Sequence, residues 1–307
     1  MKRIIITEFM DEKAVDVLRK NFDVVYDKSL VEKPELIELV ADADAIIVRN
    51  KTQVRGDLLA AAKKLCVVGR LGVGLDNIDL QECKARGITV IPATGANNVS
   101  VAEYVMAGLL MLARGCYQNC REVAEGKWPR ERMVGGEIFG KTLGLLGFGG
   151  IARDVARRAQ AFDMTVIAYD PFLPADAPVW AEYGVTPCTL DEMLAQADAV
   201  SLHVPLTDGT RNLFNAERIA TMKQGAFLVN SARGGIVDEA ALAEALKSGK
   251  LGGAMMDVFS KEPLPAGSPL ADAPNCFLTP HIAGVTRESN TRVSSMIAER
   301  VAEALTK

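Results

Sequence analysis

Apolar and polar positions along the chain alternate between two rhythms. Residues 4–7, 24–26, 45–48, 66–69 and 89–91 are short apolar runs of strand length, and the stretches between them carry a helical period. A continuous apolar run is what a strand buried on both faces requires, so this rhythm predicts parallel βαβ units. A long helical pattern follows over residues 99–116, with Ser100 placed to cap it and Glu103 three residues on, as in a capping box. After a Gly-containing connection through Trp128 and Gly136, a second βα series has strands near residues 143–146, 165–169, 199–203, 226–230 and 253–258. A last helix over 288–305 has no strand after it and is predicted to return to the first series. The expectation is an α/β chain with two doubly wound parallel-sheet domains, one of residues 1–98 and 286–307, the other of residues 99–285.

Length agrees, since 307 residues exceed what one hydrophobic core usually serves. The chain is 49% hydrophobic and 24% charged with a formal net charge of -4, and its basic residues are dispersed. That balance points away from nucleic-acid and membrane surfaces. No stretch approaches 18 uninterrupted apolar residues, and the N-terminus lacks the order of a signal peptide, so a cytoplasmic location is expected. The six cysteines are scattered without a CxxC pair, which reads as buried small apolar residues or free thiols, and no metal site is expected.

Candidate chemistry begins at Thr142-Leu-Gly-Leu-Leu-Gly147-Phe-Gly149-Gly150-Ile151-Ala152, which fits a strand, a glycine turn and a helix start. Gly147 permits the tight turn, Gly149 lets the backbone approach a pyrophosphate, and the N-H groups at the positive end of the helix favour the phosphates. A glycine turn alone is weak. A second strand ending in Asp170, 23 residues after Gly147, strengthens it, because a carboxylate there accepts both ribose hydroxyls and repels a 2′-phosphate. Pro171 and its neighbours offer no arginine, so NAD is expected over NADP.

The only two histidines, His203 and His281, both follow strand-like runs, where parallel sheets carry ligands and catalysis. His281 is the better acid/base candidate, with Glu262 as a carboxylate partner after the preceding strand. Arg233 follows another strand and offers a guanidinium to a substrate carboxylate, and the two glycines after it would let a substrate approach the backbone.

Taken together, these segments resemble the D-isomer-specific 2-hydroxyacid dehydrogenase family, with phosphoglycerate and hydroxypyruvate dehydrogenases among the relatives. The resemblance spans almost the whole chain: Val68 to Asp79, Gly95 to Glu103, the Gly147 turn, His203-Val204-Pro205, the Arg233 segment, Asp257 to Pro263, and Pro280-His281. It implies a Rossmann NAD-binding domain inserted in a flavodoxin-like substrate domain. It also implies that His281 is the general acid/base, that Glu262 holds its imidazole, and that Arg233 binds the substrate carboxylate and polarises the C2 carbonyl. Backbone N-H groups near Val73 and Gly74 would hold the carboxylate. His203, Val204, Pro205, Ser231, Ala232 and Asp257 would join the cofactor site. Gly150 departs from the pattern: many relatives have arginine there, and Arg153 is the nearest cation to compensate. The expected partners are a small 2-hydroxy acid and, at family level, a second copy of the chain through the 99–116 helix and the connection around Trp128.

Arg49, Lys51 and Gln53, with Arg70, place positive charge where a second anionic group would suit, which points to 3-phosphoglycerate, glycerate/hydroxypyruvate or sulfolactate. An NADH-sensing corepressor on the same fold is the alternative, and an exposed apolar groove would favour it. A formate dehydrogenase is disfavoured because that branch is expected to pair its histidine with glutamine, where this chain has Glu262.

Overall fold

The computed structural model describes residues 1–117 and 120–307. The chain forms two compact units, Met1–Asn97 with Val285–Lys307, and Asn98–Gly284.

The first unit runs β1 (Arg3–Ile6), α1 (Glu12–Arg19), β2 (Asp23–Tyr26), α2 (Leu36–Val40), β3 (Ala45–Val48), α3 (Gly56–Ala61), β4 (Val67–Arg70), α4 (Leu80–Ala85) and β5 (Thr89–Pro92). Its five strands are parallel in the order β2-β1-β3-β4-β5, a flavodoxin-like sheet. Strand alternation divides the core. Ile4, Ile6 and Ile47 face the C-terminal helix residues Val293, Ile297 and Val301, while Ile5, Ile46 and Val48 face Leu36, Val40 and Leu59.

The second unit begins with α5 (Asn98–Arg114), α6 (Cys120–Ala124), β6 (Thr142–Leu146), α7 (Gly150–Ala161), β7 (Thr165–Tyr169), α8 (Pro178–Tyr183) and β8 (Thr186–Pro187). It continues through α9 (Leu190–Gln196), β9 (Ala199–Leu202), α10 (Ala216–Thr221), β10 (Ala226–Asn230), α11 (Glu239–Lys247), β11 (Leu251–Met256) and β12 (Cys276–Leu278). The chain then ends in α12 (Arg287–Thr306) of the first unit. The parallel seven-stranded order β12-β11-β10-β9-β6-β7-β8 is the Rossmann order, with its switch point between β6 and β9. Leu143 and Leu145 pack with α5 and α7 residues such as Leu109 and Val155, and Val200 and Leu202 pack with Leu242 and Ile219 on the other face.

One expected helix start is corrected. Ser100 lies inside α5 and is buried, because the helix already begins at Asn98, so Ser100 does not cap it. A capping box does form at Thr286 with Ser289, where α12 starts.

Candidate active site

In the second unit the switch point gathers the ends of β6, β7 and β9. Gly147 adopts φ +85°, a conformation costly for any residue with a side chain, and donates its N-H to Tyr169 O at 2.8 Å. A Cβ there would stand 2.9 Å from Val204 Cγ1 and 3.1 Å from His203 O, so the turn, Val204 and His203 share one packed corner. Asp170 Oδ2 accepts from Phe148 N at 2.8 Å and Oδ1 from Phe172 N at 2.9 Å, which fixes the carboxylate against the glycine turn. Around Gly149 nothing lies within 4 Å of where a Cβ would be, and this residue gives α7 no side-chain cap. The first-turn N-H groups of α7 at Gly150 and Ile151 thus face an open cradle at the positive helix end. Pro171 follows Asp170 and Pro205 follows Val204 at its rim.

Behind this cradle Ser201 Oγ, His203 Nε2 and Ser231 Oγ are sealed from solvent without hydrogen-bond partners. Orphaned buried polar atoms are costly in a native fold, and their clustering at the ends of β9 and β10 fits a polar ligand there. Burial pushes the His203 imidazole down to about 4, so it is neutral at physiological pH and unsuited to act as a proton donor. Of the two histidines, His281 is left for that work.

Arg153 does not compensate for the glycine at 150. Its Nε donates to Phe148 O at 3.0 Å and its guanidinium lies over the Phe148 and Tyr183 rings, 5.7 and 5.8 Å from their centroids. Asn98, at the start of α5, takes the space instead: a Cβ on Gly150 would come within 2.6 Å of Asn98 Nδ2. Sequence reasoning misses Asn98, although the replacement at position 150 is the signal that another donor is needed.

The catalytic candidates sit on neighbouring loops. His281 Nδ1 is 2.7 Å from Glu262 Oε2, and the other carboxylate oxygen, Oε1, accepts from Phe259 N at 3.0 Å, which orients Glu262. Arg233 follows β10 in a turn folded by buried Asn230, whose Nδ2 donates to Arg233 O at 3.0 Å and whose Oδ1 accepts from Ala232 N at 3.1 Å. Arg233 Nη1 donates to Ala232 O at 2.6 Å. The expectation that Gly234 admits substrate is corrected. A Cβ there would overlap the Phe259 carbonyl, so this glycine lets the Arg233 loop pack on the loop that carries Glu262. Asp257 is 1% exposed and accepts from Thr279 Oγ1, Ile282 N and Ala283 N at 2.6, 2.8 and 2.8 Å. Its charge is therefore spent on the His281 loop, a function the sequence did not show.

In the first unit, Glu8 is buried and accepts the N-H groups of Arg49, Lys51 and Thr52 at 2.9 to 3.0 Å, clamping the loop after β3. The Arg49 guanidinium donates to the neutral amide oxygen of Asn290 and lies 5.7 Å from the Phe9 ring. Burial presses its pKa down, opposed by the Glu8 charge. Lys51 is not with it, being paired with Glu32 at 3.1 Å, and Gln53 donates to Lys51 O. Among the described residues, the N-H groups of Val73 and Gly74 donate to no protein acceptor.

A Rossmann sheet with an acidic residue after its second strand and a histidine–glutamate pair at its carboxyl edge defines a dinucleotide-dependent oxidoreductase. Residues 106–283 match the NAD-binding domain of the D-isomer specific 2-hydroxyacid dehydrogenases, and the chain belongs to that family. It is 53% identical over 306 residues to an (S)-sulfolactate dehydrogenase of Chromohalobacter salexigens, with 99% of each chain covered. It is 42% identical over 299 residues to a D-3-phosphoglycerate dehydrogenase of Archaeoglobus fulgidus, covering 97% of this chain and 56% of that longer one. A crystal structure of D-lactate dehydrogenase from Aquifex aeolicus, complexed with NAD and lactic acid, superposes with a TM-score of 0.86 at 30% identity, covering 99% and 95%. The protein is an NAD-dependent enzyme of 2-hydroxy acid oxidoreduction. Among the described residues no helix is long and apolar enough to cross a membrane.

Proposed function

We propose that the substrate is a D-configured 2-hydroxy acid carrying a second anionic group, with (S)-sulfolactate and 3-sulfopyruvate as the pair that fits best. The observation that carries this is Arg49: a half-buried guanidinium whose side-chain hydrogen bond goes to a neutral amide, with the Glu8 carboxylate engaged by backbone N-H groups, is a cation suited to an anion from outside. Support also comes from the name of the 53% identical relative. The S label is consistent with D-specificity, because sulfur outranks the carboxylate in the naming rules and reverses the label without reversing the arrangement in space.

Bound NAD would supply a hydride acceptor for C2 in oxidation, and NADH a hydride donor in reduction. Gly147 makes the turn over which the pyrophosphate would lie, Gly149, Gly150 and Ile151 would hold it by backbone N-H groups, and Asn98 would donate from the side. Asp170 and Pro171 receive the adenosine ribose, and His203, Val204, Pro205, Ser231, Ala232 and Asp257 line the nicotinamide half. Arg233, Val73 and Gly74 bind the substrate carboxylate, and Arg233 also stabilises the charge that grows on the C2 oxygen during reduction. His281 gives that oxygen its proton, and the Glu262 carboxylate orients the imidazole. The unit of residues 1–97 and 285–307 acts as the substrate domain.

A second copy of this chain is proposed to cover the apolar arm before β6. Trp128, Val134 and Phe139 are 80%, 78% and 67% exposed, beside open grooves of about 450 and 380 Å³ that share Arg114 and Glu137. The same exposed groove is what the corepressor alternative asks for, and a homodimer would account for it without a second protein. Light scattering of the wild type should give a dimer mass and Trp128→Glu a monomer; a monomeric wild type refutes it.

Steady-state NADH oxidation with sulfopyruvate, phosphohydroxypyruvate, hydroxypyruvate, glyoxylate and pyruvate tests the substrate. Sulfopyruvate should give the highest kcat/KM. Arg49→Ala should lower it about 50-fold for sulfopyruvate and little for pyruvate, the loss expected for a charged hydrogen bond. Turnover with none of these acids would sink the proposal.

A further inference from the structure

His281 is unusual among the candidate residues in how it is held. Its side chain is 47% exposed and its backbone adopts φ +56°, a left-handed conformation unfavourable to a residue with a side chain. Packing alone cannot fix such a residue, so its placement depends on hydrogen bonds to the loop.

Those bonds converge on Asp257. Parallel pairing of β11 with β12, with Met256 opposite Leu278, puts Asp257 and Thr279 side by side at the carboxyl edge of the sheet. Asp257 O accepts from His281 N at 2.8 Å, an N-H shared with Thr279 O at 3.0 Å, while its carboxylate takes the N-H groups of Ile282 and Ala283. One residue therefore pins the backbone at His281 and at the two residues after it. Thr279 Oγ1 lies 2.6 Å from Asp257 Oδ1 and 2.5 Å from Tyr104 OH, which comes from α5. Proton bookkeeping fixes the direction of this chain. The carboxylate is acceptor only, so the single hydroxyl proton of Thr279 goes to Asp257, and Tyr104 must donate to Thr279. Burial pushes the Tyr104 phenol up, which keeps its proton in place.

We propose that Tyr104 and Thr279 are positioning residues for hydride-coupled proton transfer: the donor chain Tyr104 to Thr279 to Asp257 orients the Asp257 carboxylate, and through it the backbone that aims His281. A buried carboxylate with three donors of fixed geometry has one orientation, whereas the loss of Thr279 leaves it only the two loop N-H groups. The imidazole would then sample directions away from the substrate oxygen while Glu262 still contacts it. Near-attack geometry is sensitive to such loosening, because a misplacement of about 1 Å can cost on the order of 100-fold in rate.

The inference rests on His281 as proton donor, and the test separates the two. Thr279→Val, Thr279→Ser and Tyr104→Phe are compared with wild type and His281→Asn for kcat, KM, NADH Kd and the D2O effect on kcat. Expected is a loss in kcat of about tenfold for Thr279→Val and about threefold for Tyr104→Phe, with NADH Kd and KM within twofold. Thr279→Ser, which keeps the hydroxyl, should return kcat to within twofold of wild type. The solvent isotope effect should rise in the two impaired variants, as proton transfer becomes more rate-limiting. A kcat within twofold of wild type in both Thr279→Val and Tyr104→Phe overturns the proposal. So does a Kd for NADH that rises as far as kcat falls, which would place the chain in cofactor binding. If His281→Asn keeps wild-type turnover, the reading of His281 itself fails, whatever the other variants do.

Discussion

The glycine turn and the His281 loop both sit at the carboxyl edge of one sheet, yet they are held in place by different means. The turn from Gly147 to Ala152 is shaped by backbone freedom and by close packing: φ +85° at Gly147, and a glycine at 150 against which the Asn98 amide lies. The loop from Thr279 to Ala283 keeps a histidine at φ +56° by spending a buried carboxylate on it. A dinucleotide's phosphates are recognised by backbone N-H groups, so a turn made of glycines suffices. A proton donor must be aimed at one atom, which a backbone alone does not do.

The largest expected effect breaks the loop side of this comparison. His281→Asn should cut kcat about 1000-fold, the scale of general acid–base catalysis, with NADH Kd within twofold by fluorescence titration. A parallel loss of cofactor affinity would show that the two regions are not separable.

His203 tests the turn side through pH. Its folded-state pKa of about 4 lies below the unfolded value of roughly 6.5. Between those values the unfolded chain binds a proton that the folded chain does not, so stability falls as pH drops from 6.5 toward 4 and is unaffected by this group above it. The loss amounts to at most about 3 kcal/mol. His203→Gln should flatten the fall in Tm over that window relative to wild type; an identical fall would show that His203 is solvated.

Gly147→Ala should weaken NADH binding about tenfold, since a left-handed alanine costs roughly 1 to 2 kcal/mol and its Cβ presses on Val204 and the His203 carbonyl. Kd by titration checks it, and kcat at saturating NADH should change far less. Smallest is Asn98→Ala, about fivefold weaker for NADH and ADP-ribose and unchanged for AMP, as one neutral hydrogen bond to the pyrophosphate predicts. Equal weakening of AMP would move Asn98 away from that role.

The same contrast explains what was legible in the sequence. Strand runs, the glycine turn and the distance from Gly147 to Asp170 are local or fixed by the βαβ repeat, and a sequence displays them directly. The correction at Ser100 arises because a capping box is a local pattern that tertiary burial can overrule. Tyr104 and Thr279 are 175 residues apart, and nothing in either segment announces that α5 brings them together. Gly234 shows the same limit, since the group that needs its missing side chain is the Phe259 carbonyl on another strand's loop. Lys51 looked like a companion of Arg49, but a surface lysine takes whatever carboxylate lies nearest, here Glu32.

The most direct test of the account follows NADH formation from NAD with the two enantiomers of sulfolactate supplied separately. Turnover with (S)-sulfolactate should exceed that with the (R) form at least about 100-fold, the discrimination expected when carboxylate, second anion and C2 oxygen are each held by a separate charged group. Equal turnover of the two, or NADH formation from the (R) form alone, would contradict it.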